Sequence, residues 1–142
     1  MTPDLLRLAV AVGADNSYAG TVPADPAAVH DGDTVRVQVV DVLLSVPVLL
    51  AVRVAGINAP ELSEPGGPEA RDALAGLLTP GMVVTLRHVH PDKFAGRVVS
   101  QIITGKGEDV GPWMISRGFA VAWSGVGPKP AVPWPPLVSL PP

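Results

Sequence analysis

Apolar and polar residues alternate in the first half of the chain, and this alternation predicts strands. From residue 35 to residue 39 every second residue is valine, which is the period of a half-buried strand. Residues 18–22 predict a strand. A proline-containing insertion at residues 23–26 interrupts this strand, and it resumes at residues 29–30. The nearly continuous apolar run 46–55 predicts a central strand, so three strands are expected before the first helix.

The spacing of apolar residues changes to a helical period after residue 66. Residues 66–78 predict a helix, because apolar positions recur every three or four residues and a proline and a glutamate occupy the first turn. Residues 82–89 and 97–103 alternate again and predict a hairpin, and residues 109–117 predict a second helix. With an extended segment at 119–123, this order predicts a mainly β protein, a five-stranded OB-fold barrel with two to three helices.

The length and composition are those of one globular domain. The chain has 142 residues, enough for one core, and 47% hydrophobic against 16% charged residues excludes a disordered chain. We expect the domain to span residues 18–124. Residues 1–17 are then an N-terminal extension, either a strand or a short helix, and residues 125–142 a proline-rich C-terminal tail that is loose or polyproline-like.

The charge balance and the absence of cysteine limit the possible functions. A formal net charge of -3 counts against a tight nonspecific nucleic-acid binder, but an enzyme needs only a local positive site. Without cysteine, neither disulfides nor thiolate metal sites can form, and a metal would need oxygen ligands. No apolar run reaches the ~18 residues of a membrane helix, and Asp4 and Arg7 do not fit a signal peptide. We expect a cytoplasmic protein of a bacterial or phage-infected cell, with secretion left open.

Two carboxylates flank a glycine at the bend before residue 35, in the sequence Asp31-Gly32-Asp33. The glycine lets the backbone turn so that the carboxylates can reach a common point, and hard divalent ions bind such oxygens. Asp-Gly is also the strongest short signal for a hairpin turn. On this fragment alone, a plain turn and a cation site both stay open.

Two guanidinium groups and a polar loop follow along the chain. Arg53 ends an apolar strand, where it suits either phosphate binding or a solvent-facing strand edge. Pro60 stiffens the next turn and keeps Asn58 and Glu61 on one loop near that strand. Arg97 lies in a predicted hairpin loop. Taken singly, Glu61 and Arg97 are more simply explained as solvated loop charges.

Together, these fragments resemble the staphylococcal nuclease family, whose fold is an OB barrel with added helices. They keep the family's order and compatible spacing over residues 18–123, and they comprise residues 29–35, 52–61, 67–70, 92–97 and 117–120. The resemblance implies calcium-dependent hydrolysis of phosphodiester bonds in DNA and RNA, leaving 3′-phosphate ends. We therefore expect a nucleic-acid substrate, no membrane partner and a monomer.

The resemblance also implies a calcium site and a base. Asp33, Asn58 and the backbone carbonyl of Ala59 would bind calcium, and Asp31 would lie close behind them. Glu61 would orient or deprotonate the attacking water.

On the substrate side, the resemblance implies that Arg53 and Arg97 clamp the phosphoryl oxygens while the phosphorus becomes five-coordinate. Lys93, Phe94 and Trp123 are candidate substrate contacts. The two aromatic side chains could stack on bases, although most such residues belong to a core or its rim.

The chain departs from the family's pattern in two loops. Asn58 stands where the family has aspartate, which removes a negative charge and should weaken calcium binding, whereas Ala59 in place of threonine leaves a backbone ligand intact. Ala95 lengthens the second loop by one residue and Phe94 lacks a tyrosine hydroxyl, so the aim of Arg97 is affected. Two hypotheses follow: an active nuclease, or a catalytically weakened OB-fold module that binds nucleic acid or protein.

Overall fold

Eight strands and two helices make up the part of the chain that the structure describes. The structure is a computed structural model that describes residues 17–41 and 45–136, so the predicted N-terminal extension lies outside it up to residue 16. The strands are β1 (Tyr18–Thr21), β2 (Val29–Asp31), β3 (Thr34–Asp41), β4 (Val46–Val54), β5 (Ile57–Asn58), β6 (Val83–Pro91), β7 (Arg97–Ile103) and β8 (Val121–Ala122). The helices are α1 (Gly67–Leu77) and α2 (Val110–Ser116).

Five of these strands close into a barrel. They follow the order β1-β6-β7-β4-β3, and Thr21 of β1 pairs with Gln38 of β3, so that the two ends of the sheet meet. Strand β2 pairs with the other half of β3, where Val29 lies opposite Val35. Thus β1 and β2 are one interrupted strand, and the OB-fold predicted from the sequence is confirmed.

The interior of the barrel is apolar because alternate residues of each strand face the same side. Val35 and Val37 of β3 and Val52 of β4 are fully buried, and burial of such a side chain stabilises the fold by ~1.5–3 kcal/mol. Arg53 has the opposite, outward orientation in β4 and is nevertheless buried. Something must therefore cover this arginine from outside the barrel.

Both helices begin and end within one residue of the predicted limits. Helix α1 buries Ala70 and Leu74, which are four residues apart and share one face. Helix α2 buries Val110 and Met114 in the same way. Neither of the two is long and apolar enough to cross a membrane.

Residues 128–136 are attached to the domain at two points, and this corrects the loose alternative of the two predicted for this segment. The carbonyl of Pro130 accepts a hydrogen bond from the Asn58 side chain at 3.0 Å. The ring of Trp134 stacks on Phe119 with 6.1 Å between ring centroids. Proline-rich composition predicted a loose chain because proline fits neither helix interiors nor central strands, but it carries no information about such anchors. Residues 137–142 lie outside the described part.

Candidate active site

The bend between β2 and β3 is packed tightly against α1 and the loop that follows β5. A Cβ atom added to Gly32 would lie 2.7 Å from the Cβ of Ala70 and 2.8 Å from that of Ala59, which is too close for any side chain. The flanking carboxylates, Asp31 and Asp33, are buried. The bend is therefore a hairpin turn between paired strands that also buries two carboxylates.

Asp33 connects three parts of the fold through its carboxylate. The hydroxyl of Thr34 donates to Oδ1 at 3.1 Å, and the backbone N–H of Ala59 donates to Oδ2 at 2.9 Å. The Nη2 atom of Arg53 lies 3.5 Å from the same Oδ2, because the β3–β4 register places Thr34 opposite Arg53. One carboxylate thus orients both the arginine and the loop.

Arg53 is covered by Trp123. Its guanidinium carbon lies 5.0 Å from the centroid of the Trp123 ring, and Nη2 donates to the carbonyl of Ile57 at 3.4 Å. The backbone N–H of Trp123 donates to the carbonyl of Gly56 at 2.9 Å, next to the β5–β8 pair, which holds the indole in place. A solvent-facing strand edge, one of the two interpretations of Arg53, is therefore wrong. The guanidinium is buried, paired and stacked.

Asp31 is a buried carboxyl beside another carboxyl. Its Oδ1 accepts a hydrogen bond from the backbone N–H of Asp33 at 3.2 Å. Burial, followed by the negative charge of Asp33 and a side-chain hydrogen bond with it, raises the pKa of Asp31 from 3.8 to about 7. The bend carries a local excess of negative charge that a cation would relieve.

The end of β5 and the loop after it present an amide and a carboxylate in different environments. Asn58 is buried, and its Nδ2 donates to the Pro130 carbonyl, so Oδ1 is the amide atom left to act as a ligand. The backbone N–H of Glu61 donates to the Glu64 carboxylate at 2.7 Å, which shapes the loop. The Glu61 carboxylate is exposed and lies 3.7 Å from the Nζ of Lys129.

Arg97 is oriented by Asp92 and Phe94. Its Nε donates to the Asp92 carboxylate, and its guanidinium carbon lies 4.6 Å from the Phe94 ring centroid. Burial acts to raise the pKa of Asp92, but hydrogen bonds from Arg97 and from the backbone of Lys93, together with the charges of Arg97 and Arg53, lower that pKa overall. Asp92 is thus an ionised partner that holds the Arg97 side chain at the start of β7.

The two arginines line one cleft of ≈ 410 Å³. The same cleft is lined by the three predicted substrate contacts, Lys93, Phe94 and Trp123. Asn58, Ala59 and Glu61 line a second cavity of ≈ 480 Å³, and Lys129 borders both cavities. The structure therefore places the predicted residues along two cavities that share Lys129, and the buried Asp33 contacts one residue of each, Arg53 and Ala59.

Three residues at this site did not emerge from the sequence: Asp92, Lys129 and Pro130. Asp92 stands five residues before Arg97, and an acidic residue so close to a candidate phosphate-binding arginine is a usable signal. Lys129 and Pro130 leave no such signal, because the contact of Pro130 with Asn58 joins residues 72 positions apart.

The oxygen atoms at the bend and the loop fit a hard divalent cation. Calcium accepts carboxylate, amide and backbone oxygens together, and Asp33, Asn58 Oδ1 and the Ala59 carbonyl are of these kinds. The raised pKa of Asp31 points the same way. Within the ranges that the structure describes, no three histidine, cysteine or acidic side chains form a metal-binding group. A cation here would therefore depend on the amide and backbone oxygens.

Fold and site together define an OB-fold protein with two guanidinium groups facing one cleft beside buried carboxylates. The family model for staphylococcal nuclease homologues matches residues 51–131. Because this match covers more than half of the chain, the protein belongs to the staphylococcal nuclease family, which is of nuclease type and has nucleic acid as its substrate class. The match includes Arg53, Glu61 and Arg97, whereas the bend at Asp31 and Asp33 precedes it. None of the curated proteins compared with the chain matches it.

Proposed function

We propose that this protein is a calcium-dependent nuclease that hydrolyses phosphodiester bonds of DNA or RNA. The observation that supports the proposal is that Arg53 and Arg97 line one cavity, Glu61 lines a second, and Lys129 borders both, while Arg53 pairs with the Asp33 carboxylate. Phosphoryl transfer asks a protein mainly for positioning and for stabilisation of charge on the phosphoryl oxygens. Two guanidinium groups, a carboxylate base and an oxygen-ligand site are sufficient for both tasks.

Each arginine has a support that sets its direction before substrate arrives. Asp33 and the Trp123 ring hold Arg53, and Asp92 and the Phe94 ring hold Arg97. In the proposed reaction, both guanidinium groups bind nonbridging phosphoryl oxygens and offset the charge that develops on them.

Glu61 has the exposure that a general base needs. Its carboxylate takes a proton from the attacking water as the new P–O bond forms. The bond from phosphorus to the 5′ oxygen then breaks, the 5′ oxygen takes up a proton, and a 3′-phosphate end remains. Asp33, Asn58 Oδ1 and the Ala59 carbonyl would hold calcium, which when bound polarises the phosphate and lowers the pKa of a coordinated water.

A second candidate function is an OB-fold module that binds nucleic acid or protein with little turnover. It is favoured by the Asn58 side chain, which is neutral and whose Nδ2 is already committed to the Pro130 carbonyl. A site with one charge fewer binds calcium less tightly. Binding through the cleft would not require that cation.

The test is digestion of single-stranded DNA by the purified protein with calcium and with EDTA. The matched variants are Glu61→Gln, which removes the proposed base, and Glu69→Gln, which removes an exposed carboxylate on α1. We expect calcium-dependent cutting that Glu61→Gln lowers by about 10²–10⁴-fold and that Glu69→Gln leaves unchanged. Oligonucleotide binding without calcium-dependent cutting, over a wide pH range, would establish the binding module instead.

A further inference from the structure

A short segment after the last strand lies across the proposed site. This segment, residues 129–134, is here called the strap, and all of its residues except Pro133 line the cavity that Asn58, Ala59 and Glu61 form. The strap ends at Trp134, whose ring stacks on Phe119. A Cβ atom at Gly66 would lie 2.7 Å from that ring, so the absence of a side chain at Gly66 creates the notch in which Trp134 sits.

The first residue of the strap is a lysine that reaches the proposed base and the substrate cleft. The Nζ of Lys129 lies 3.7 Å from the Glu61 carboxylate and 5.9 Å from the centroid of the Trp123 ring. Lys129 also lines the cleft that contains Arg53 and Arg97. Together with Arg53, Lys93 and Arg97, it is one of four cationic side chains that line this cleft.

The strap is attached to the domain at two points that follow Lys129 in the chain. The neighbouring carbonyl, that of Pro130, accepts the hydrogen bond from the buried Asn58 amide, and Trp134 is held four residues further on. These two attachments restrict where the lysine can reach.

The ion pair of Lys129 with Glu61 is easily exchanged. The two side chains are 46% and 55% exposed, and pairs between such solvated groups contribute ~0–1 kcal/mol. A phosphate entering the cleft carries negative charge to the same ammonium group. Transfer of Lys129 to the phosphate would also release the Glu61 carboxylate to accept a proton.

We propose that Lys129 is a further substrate-binding residue of this site, a phosphate-binding cation that the strap delivers to the cleft. This inference rests on the proposed function, since it assumes that nucleic acid occupies the cleft. Lysine suits this role because its ammonium is a compact charge on a flexible stem that can move from one partner to the other.

The experiment measures binding of a fluorescein-labelled oligothymidylate in EDTA, where cutting does not interfere, at several salt concentrations. The variants are Lys129→Ala, Lys129→Arg and, as a matched loss of charge outside the cleft, Lys106→Ala in the exposed loop after β7. We expect Lys129→Ala to weaken binding about 10-fold at low salt. The plot of the logarithm of the association constant against log salt should become less steep by about 0.7, the value for one phosphate contact on a single strand. Lys129→Arg should retain most of the affinity, and Lys106→Ala all of it.

With calcium, Lys129→Ala should raise KM while kcat changes less than about threefold, because binding common to ground and transition states affects KM.

A second pair of variants tests delivery by the strap. Trp134→Ala should weaken oligothymidylate binding as much as Lys129→Ala does, the double variant should bind no more weakly than either, and Trp134→Phe should restore binding. Urea unfolding of each variant shows that the compared proteins are folded.

Three outcomes would overturn the inference. If Lys129→Ala and Lys106→Ala behave alike while the wild-type protein binds and cuts, Lys129 is not a substrate contact and the proposed function stands. If Lys129→Ala or Trp134→Ala binds or cuts better than wild type, the strap obstructs the site. If the wild-type protein neither binds nor cuts, both the inference and the proposed function fail.

Discussion

Without calcium, the protein should lose stability as the pH rises from about 4 to about 7, because of Asp31. The pKa of this buried carboxyl is about 7 in the folded protein, against 3.8 as its ordinary value. Between these two values the folded state holds a proton that the unfolded state has lost. The free energy of unfolding falls as the pH rises wherever the folded state binds more protons than the unfolded state. The contribution of Asp31 is therefore largest below pH 4 and decreases up to pH 7.

The size of the effect follows from the same interval. At about 1.36 kcal/mol per pH unit, the interval from 3.8 to about 7 corresponds to ~4 kcal/mol as an upper bound. Asp31→Asn removes the titration while its amide oxygen can still accept the hydrogen bond from the Asp33 backbone. In EDTA, the variant should therefore be more stable than wild type at pH 8 by up to this amount, and closely similar to it at pH 4.

The assay is urea unfolding in EDTA at half-unit steps from pH 4 to pH 9, with Asp72→Asn as the control. Asp72 is an exposed carboxylate of α1 that pairs with Arg71 at 3.2 Å on the surface. The control should follow the wild-type pH dependence, and calcium should make the wild-type curve flatter because a bound cation favours ionised carboxylates. Parallel curves for wild type and Asp31→Asn across this range would refute the reasoning.

Three other substitutions probe separate parts of the site and the core. Asn58→Asp places a carboxylate oxygen against the Pro130 carbonyl, so in EDTA the free energy of unfolding should fall by ~1–3 kcal/mol. The same variant should bind calcium more tightly by calorimetry, and unchanged or weaker binding would remove residue 58 from the metal site. Arg53→Lys loses the stacking on Trp123 and the guanidinium fork, so kcat should fall by about 10²-fold with the fold retained, and a rate within threefold of wild type would contradict the assigned role. Leu74→Ala in the fully buried face of α1 should cost ~2–5 kcal/mol in urea unfolding, and a loss below 1 kcal/mol would show that α1 does not seal the core.

The longer strands and both helices were predictable because each has a local periodicity, whereas the two-residue strand β5 was not predicted. The alternating valines of β3 bury one side of a sheet, and the four-residue spacing of Ala70 and Leu74 buries one face of α1. The interruption between β1 and β2 was also visible, since the prolines at 23 and 26 do not fit a continuous paired strand. The loose alternative for residues 128–136 was wrong because the anchoring of Trp134 beside Gly66 depends on shape, which composition does not contain.

The kinds of groups at the site were determined by the sequence alone: two carboxylates around a glycine, two arginines, and an amide and a carboxylate on one loop. Their pairings were decided by the tertiary structure. The β3–β4 register places Arg53 beside Asp33, and the path of the chain after β8 carries Lys129 and Pro130 to Glu61 and Asn58. The physical reason is that burial and long-range contact set both the partner and the charge state of a polar group. The same Asp-Gly-Asp bend would be an ordinary solvated turn if α1 and the loop after β5 did not cover it.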